Sequence, residues 1–229
     1  LNHYIERETD KHMVRTKNRP LPSGLVKPSE VLSFGVLMVL LGTILLVSQI
    51  NILTGFVALL TSFLYIMVYT PLKKITWLNT SIGSIPGALP IIGGWTASTG
   101  TIGPMAWILF GMMYLWQHPH FYSIAYMYKE DYKNAGLQML PVIDNGIKRT
   151  VLHIFLHALI LIPISTLPFF LGFSGRVYFV GAYILSNIYM LFCLPFILEQ
   201  NKDNARLIFK TSIYYFPLLL FLIVADLRV

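Results

Sequence analysis

Asn2, Glu6 and Asp10 fall at intervals of four in the opening run LNHYIERETDKHMVRTKNRPLPSG. On a helix that interval stacks the three side chains turn on turn along one face. Arg15 lies five residues past Asp10, and Arg19 directly precedes Pro20. An amide and two carboxylates on one stripe, with cations beyond, make a seat for a divalent cation and a phosphate-rich ligand. Hard cations such as Mg²⁺ take oxygen donors and are commonly completed by substrate phosphates. A solvated helix end with i,i+4 charge pairs uses the same residue types, so the segment alone leaves both readings open.

The elements that must position this stripe are membrane helices. The 229 residues are 55% hydrophobic and 12% charged, with a mean hydropathy of +0.65; soluble domains carry about twice that charged fraction. Uncharged apolar runs recur at about Val31–Gln49, Leu53–Tyr69, Ser81–Ala97, Pro104–Tyr122, Thr150–Leu171, Val177–Leu198 and Ile208–Ala225. Several approach the roughly 20 residues that a spanning helix needs; three are shorter or carry Pro and Gly. The pattern predicts an all-α integral membrane protein with seven transmembrane helices, organised as one domain over 1–229. Tyr69, Trp77, Trp95, Trp107, Tyr122 and Tyr178 stand near run ends, where an aromatic belt is expected.

Alternate loops segregate the cations. Of the 17 Lys and Arg residues, only Arg176 and Arg228 fall on one side. The other 15 include Lys27, Lys74, Lys202, Arg206 and Lys210, and the positive-inside rule puts them in the cytoplasm. The net charge of +7 is therefore a topological signal, and no nucleic-acid partner is expected. Nine of the ten acids share the cation-rich side, Asp226 being the exception. Because acids contribute little to orientation, their clustering points to chemistry at that face, in the inner segments 1–30 and 123–149. The sequence begins without Met at a charged segment, and no signal-peptide pattern is present, so further N-terminal helices are expected before residue 1. Cys193, the single cysteine, reads as packing.

Pro20, Pro22 and Gly24 predict the end of the first helix. In the second inner segment, Tyr114–Val142, a helix is expected to leave the bilayer, continue past Tyr128 and stop near Gly136. His118 and His120 are two apart and diverge by about 200° on a helix, which makes a weak metal pair. His153 and His157, four apart on one face, could converge or simply pack between helices. Gly83 and Gly87 suggest close helix packing.

The pieces NHYIERETDKHMVRTKNRPLPSG, YTPLKK, GSIPGALPIIGGW and WQHPHFYSIAYMYKEDYKNAGLQMLPV resemble the UbiA-type intramembrane prenyltransferases, and within them the branch that farnesylates protohaem. The ordered motifs cover residues 1 to about 150. The resemblance implies a nine-helix bundle of which this chain holds seven. It also implies a reaction: Mg²⁺ holds a prenyl diphosphate, the C–O bond ionises, and an electron-rich acceptor captures the allylic cation. For the haem branch the reactants are farnesyl diphosphate, haem B and water, and the products are haem O and diphosphate. By the same resemblance Asn2, Glu6, Asp10 and Asp131 would take the metal, and Arg15, Arg19 and Lys73 the diphosphate. His120, and less directly His118, would contact haem. The implied setting is the lipid bilayer of a bacterial inner membrane, with haem A synthase or oxidase assembly factors as possible partners. The chain departs from the superfamily pattern at Glu6, where Asp is usual. It departs again at Ala135, where many relatives place a second aspartate four residues after Asp131. Two rival readings use the same features: a prenyltransferase for a quinone-precursor or phenolic acceptor, and an ion-coupled transporter.

Overall fold

Pro28 opens the first long helix, where its missing N–H is no loss, and the Lys27 amide donates back to the Glu30 carboxylate at 3.3 Å. In the computed structural model, which describes residues 1–227, a short helix α1 (Asn2–Asp10) precedes this α2 (Pro28–Gln49). Asn51 then caps α3 (Ile52–Phe63) by accepting from the Thr54 amide at 2.8 Å. A π-helical stretch (Leu64–Tyr69) and α4 (Thr70–Leu72) continue α3 without a break. Pro71 explains the widened turn: it has no N–H to give to the preceding carbonyls, and its ring crowds them. There follow α5 (Asn79–Thr99), α6 (Pro104–Met127), α7 (Lys129–Asn134), α8 (Leu140–Ile143), α9 (Lys148–Phe170), α10 (Arg176–Leu198) and α11 (Lys202–Ala225).

Among the described residues five helices are long and apolar enough to cross a membrane: α2, the continuous Ile52–Leu72, α9, α10 and α11. Helices α5 and α6 match them in length, at 21 and 24 residues, but carry internal prolines and polar residues. These are two of the runs that the sequence marked as Pro- and Gly-bearing. Helix α11 begins six residues before the apolar run, because Asn201 accepts from the Asn204 amide at 2.8 Å and starts the helix in the polar loop. Arg228, counted among the outer cations, lies outside the described residues.

The chain divides into two compact units. The first comprises residues 1–102 and 128–143. In it α3 packs against α2 and α5, and α2 has no buried residue along its 22-residue length. A helix that is apolar on every side and unburied is matched to lipid. The second unit comprises residues 103–127 and 144–229. There α6, α9, α10 and α11 close a ring, each packed on the next. Its centre is tied by polar contacts: Ser165 and Ser186 hydroxyls lie 2.7 Å apart, Tyr215 meets Ser186 at 2.9 Å, and the Tyr178 hydroxyl donates to the Ser165 carbonyl at 2.6 Å. Between helices in lipid, where apolar burial drives little, such bonds help fix the packing.

Two expectations change. Tyr122 and Tyr178 are fully buried, so they are core residues and not part of an aromatic belt; Trp107 is 56% exposed. Asp226, the exceptional outer acid, is structural. Its carboxylate accepts from the Tyr178 amide at 2.8 Å in the first turn of α10, and its carbonyl accepts from Gly175 at 3.1 Å. An acid at a helix N-terminus satisfies an orphan N–H and complements the dipole. Asp226→Ala is therefore expected to cost about 1 kcal/mol, read as a lower melting temperature in detergent.

Candidate active site

Helix α1 carries both readings of the opening segment, on different faces. Arg7, Glu8 and Lys11 form its solvated side: Lys11 donates to Glu8 at 2.7 Å, and Arg7 lies 3.7 Å from Glu8. That hydrogen bond from Lys11 holds the exposed Glu8 carboxyl below its usual range. The other side is the predicted stripe. Asn2 donates from Nδ2 to Glu6 Oε2 at 2.9 Å, and Glu6 and Asp10 are buried, Asp10 to 1% exposure.

Each buried carboxylate meets a cation from another segment. Lys73 Nζ stands 2.8 Å from Glu6 Oε1 in a close ion pair. Arg19 Nη1 donates to Asp10 Oδ2 at 3.0 Å. Burial works against the Lys73 charge, but Tyr69 and Glu6 beside it outweigh burial and raise its pKa. The Lys73 ammonium also lies over the Tyr69 ring, 4.7 Å from its centroid. Thr70 completes the contact with α1: its hydroxyl lies 3.0 Å from Asn2 Oδ1 and 2.8 Å from the Tyr65 carbonyl. Both atoms only accept, so the single hydroxyl proton is shared between them.

The first helix ends ten residues before Pro20. The Thr16 hydroxyl donates to the Asp10 carbonyl at 2.9 Å, and successive turns run from Asp10 to Gly24. The Asp10–Arg19 pair closes this loop on itself. Arg15, carried outward by it, reaches the second inner segment: Nη2 donates to the Tyr132 hydroxyl at 3.1 Å, and the guanidinium lies 4.9 Å from the Tyr128 ring centroid. That segment is stitched down at two further points. The Gln138 amide donates to the Lys73 carbonyl at 2.7 Å, and Asn79 Nδ2 donates to the Gln138 carbonyl at 2.8 Å. The helix does not continue past Tyr128 as expected: α6 ends at Met127, Tyr128 leaves the helical conformation and α7 starts anew at Lys129, whereas the stop near Gly136, with φ +67°, is as expected. Asp131 stands on α7 beside Tyr132, and no ion pair or hydrogen bond joins its carboxylate to Asn2, Glu6 or Asp10. Among the described residues, no three His, Cys, Asp or Glu side chains gather as a metal cage.

Gly83 holds this arrangement from behind. A Cβ there would collide with the Tyr69 ring, the ring that flanks Lys73. Gly83→Ala is expected to cost about 1–3 kcal/mol through overpacking. A Gly83→Ala/Tyr69→Leu double variant should recover part of that loss, because the colliding ring is gone; melting temperatures of the four proteins check it. Thr70, Tyr69, Tyr132 and Asn79 were missed by sequence reasoning, although Tyr69 and Thr70 begin the YTPLKK element from which only Lys73 was taken.

In the second unit the two α6 histidines face different neighbours. His118 is fully buried and stacks on His157 of α9 with centroids 3.7 Å apart, while its Nδ1 donates to the Tyr114 carbonyl at 2.8 Å. His153 stacks on His157 in turn at 5.6 Å. His120 instead faces α11, flanked by Trp116 at 4.9 Å and Phe209 at 5.2 Å. His120 Nδ1 lies 2.7 Å from Ser212 Oγ, which donates its own proton to the Phe209 carbonyl at 2.6 Å. Both contacts are made only if His120 Nδ1 carries hydrogen, which leaves the Nε2 lone pair for a ligand.

Buried acids thus pair with cations at the polar ends of apolar helices. Residues 1–221 match the model of the UbiA prenyltransferase family, and the chain belongs to that family. It is an integral membrane prenyltransferase. Among curated relatives, it is 42% identical over 226 residues to a protoheme IX farnesyltransferase of Solibacter usitatus strain Ellin6076, covering 99% of this chain and 77% of the relative. It is 40% identical to the protoheme IX farnesyltransferase of Koribacter versatilis strain Ellin345, covering 99% and 75%. The fold resembles a solved structure from work on digeranylgeranylglyceryl phosphate synthase in membranes, with TM-score 0.78, 23% identity and coverage of 98% and 78%. It also resembles the apo structure of a UbiA homologue from Aeropyrum pernix K1, with TM-score 0.70, 16% identity and coverage of 96% and 82%.

Proposed function

We propose that the protein transfers a farnesyl group from farnesyl diphosphate to a vinyl group of haem B, with addition of water, giving haem O and diphosphate. The observation that carries the diphosphate half is the pairing of two buried α1 carboxylates with Lys73 and Arg19. The curated relatives and the HPHF element support the acceptor.

The donor set fits Mg²⁺. Asn2, Glu6 and Asp10 offer hard oxygens, and the two carboxylates among them are buried. Asn2, Glu6 and Asp10 would hold the ion, joined by Asp131 from α7, with phosphate and water completing it. When bound, Mg²⁺ supplies Lewis-acid stabilisation of the departing diphosphate. Lys73 and Arg19, which neutralise the carboxylates in the free protein, would turn to diphosphate oxygens. Arg15 would join them, held over Tyr128 and Tyr132. These cations stabilise the negative charge that grows on the leaving group, and the planar fork of arginine suits phosphate. His120, with Nε2 free of its Ser212 contact, would touch haem as iron ligand or propionate partner. His118 lies stacked between helices, which makes it the weaker candidate. The apolar surroundings would keep water from the farnesyl cation until the acceptor captures it.

The cation-rich side supports a site at the cytoplasmic face of a bacterial inner membrane. Haem A synthase or oxidase assembly factors would be the protein's partners. The test is incubation of the purified protein with farnesyl diphosphate, haem B and Mg²⁺, followed by mass analysis. A haem adduct heavier by farnesyl plus water is expected. Mg²⁺-dependent prenylation of a phenolic acceptor in its place would overturn the haem assignment, and absence of diphosphate release with any acceptor would overturn the reaction.

A further inference from the structure

Lys202, Arg206 and Lys210 recur at intervals of four at the start of α11, so they share one face of that helix, and all three are exposed. Their position is unfavourable. The N-terminal end of a helix carries positive partial charge, which cations oppose and anions complement. Asp203 offsets part of this by pairing with Arg206 at 2.8 Å, but both side chains are exposed, at 88% and 54%, and such a pair contributes little. Among the described residues no carboxylate pairs with Lys202 or Lys210. Lys210 lies about 12 Å along the helix from Lys202, inside a segment long and apolar enough to cross the membrane.

The same face continues through Tyr214, 70% exposed, and Leu218. Beside it runs a groove of about 320 Å³ between α10 and α11, walled by Leu185, Ile188 and Phe192 on one side and Leu207 and Leu218 on the other, with Lys210 at its polar end. From Lys210 to Leu218 the groove follows about 12 Å of helix. A cationic head leading into an apolar channel on a lipid-facing surface matches one kind of molecule: an anion with a long hydrocarbon tail that lies parallel to the helices.

We propose that this α10–α11 groove binds an anionic phospholipid from the leaflet on the cation-rich side, its phosphate held by Lys210 and Arg206 and one acyl chain lying along the groove. The lipid supplies the negative charge that the start of α11 lacks and fills the channel that the side chains leave open.

The test is native mass spectrometry of the detergent-purified protein titrated with phosphatidylglycerol or phosphatidylcholine, beside melting temperatures in each lipid. One phosphatidylglycerol is expected to be retained in preference to phosphatidylcholine and to raise the melting temperature. Lys210→Gln and Arg206→Gln should each weaken it about fivefold, the scale of one basic residue near anionic lipid, without altering melting in phosphatidylcholine. Ile188→Trp, which fills the groove and leaves every charge in place, should displace the same lipid. Equal retention of the two lipids would overturn the proposal, as would wild-type phosphatidylglycerol binding in the two charge variants or in Ile188→Trp. Stoichiometric displacement of the lipid by haem B would also overturn it, reassigning the cationic stripe to the haem propionates.

Discussion

Asp10→Asn should reduce prenyl transfer by about 10²–10³-fold, the usual scale for loss of one group that stabilises developing charge, while the protein stays folded. Asp10 is 1% exposed, and among the described residues its one ion pair is with Arg19. Asparagine has the same shape and its carbonyl oxygen can still accept from Arg19, so the loop from Asp10 to Gly24 keeps its closure. What disappears is the charge, and with it one of the two α1 carboxylates that would hold Mg²⁺. Single-turnover rates with farnesyl diphosphate across a Mg²⁺ titration check this directly. Recovery of most of the activity at high Mg²⁺ would assign Asp10 to metal affinity. A wild-type rate at ordinary Mg²⁺ would remove Asp10 from the site.

Lys73→Met should be the most destabilising single change at this face, by about 3–5 kcal/mol, because it strands a buried carboxylate. The Lys73 and Glu6 side chains are only 13% and 10% exposed. Lys73→Met/Glu6→Gln should recover most of the stability, since the uncompensated charge is then gone, but none of the activity. Melting temperatures and product formation for the four proteins of this cycle separate the two effects. The pH dependence has a definite sign. The pKa of Lys73 is raised in the folded protein above its ordinary 10.5, so its contribution is fully present below that value. It fades as pH rises through the higher, folded value. The wild-type protein should therefore lose an increment of stability in strong alkali that Lys73→Met lacks.

The helices were legible because each apolar run is local and long: the predicted Val31–Gln49 and Thr150–Leu171 became α2 and α9 with ends shifted by at most three residues. The stripe on α1 was legible for the same reason, since an interval of four is a property of one helix. The early end of α1 was not, because it depends on Thr16 and Arg19 returning to Asp10 across a turn. Nor could the sequence show that Tyr132 would receive Arg15, 117 residues away, or that Gln138 would bond the backbone of Lys73. The histidines divide along the same line. Their divergence on α6 follows from helix geometry, whereas the stacking of His118 on His157 depends on which helix α6 meets. The resemblance supplied the functional grouping that spacing alone left open.

The π-helical stretch Leu64–Tyr69 holds one residue more than the same length of α-helix would, and this gives the segment a phase. An α-helix advances about 100° per residue, so a surplus residue fixes the angle at which everything after it faces. If the same six residues closed as an ordinary α-helix, each would advance by the full 100° and the helix would lengthen only a little. Thr70 and Lys73 would then point about a quarter-turn away from Asn2 and Glu6. The membrane-spanning half of the helix would be content with either phase; only the polar end can tell them apart.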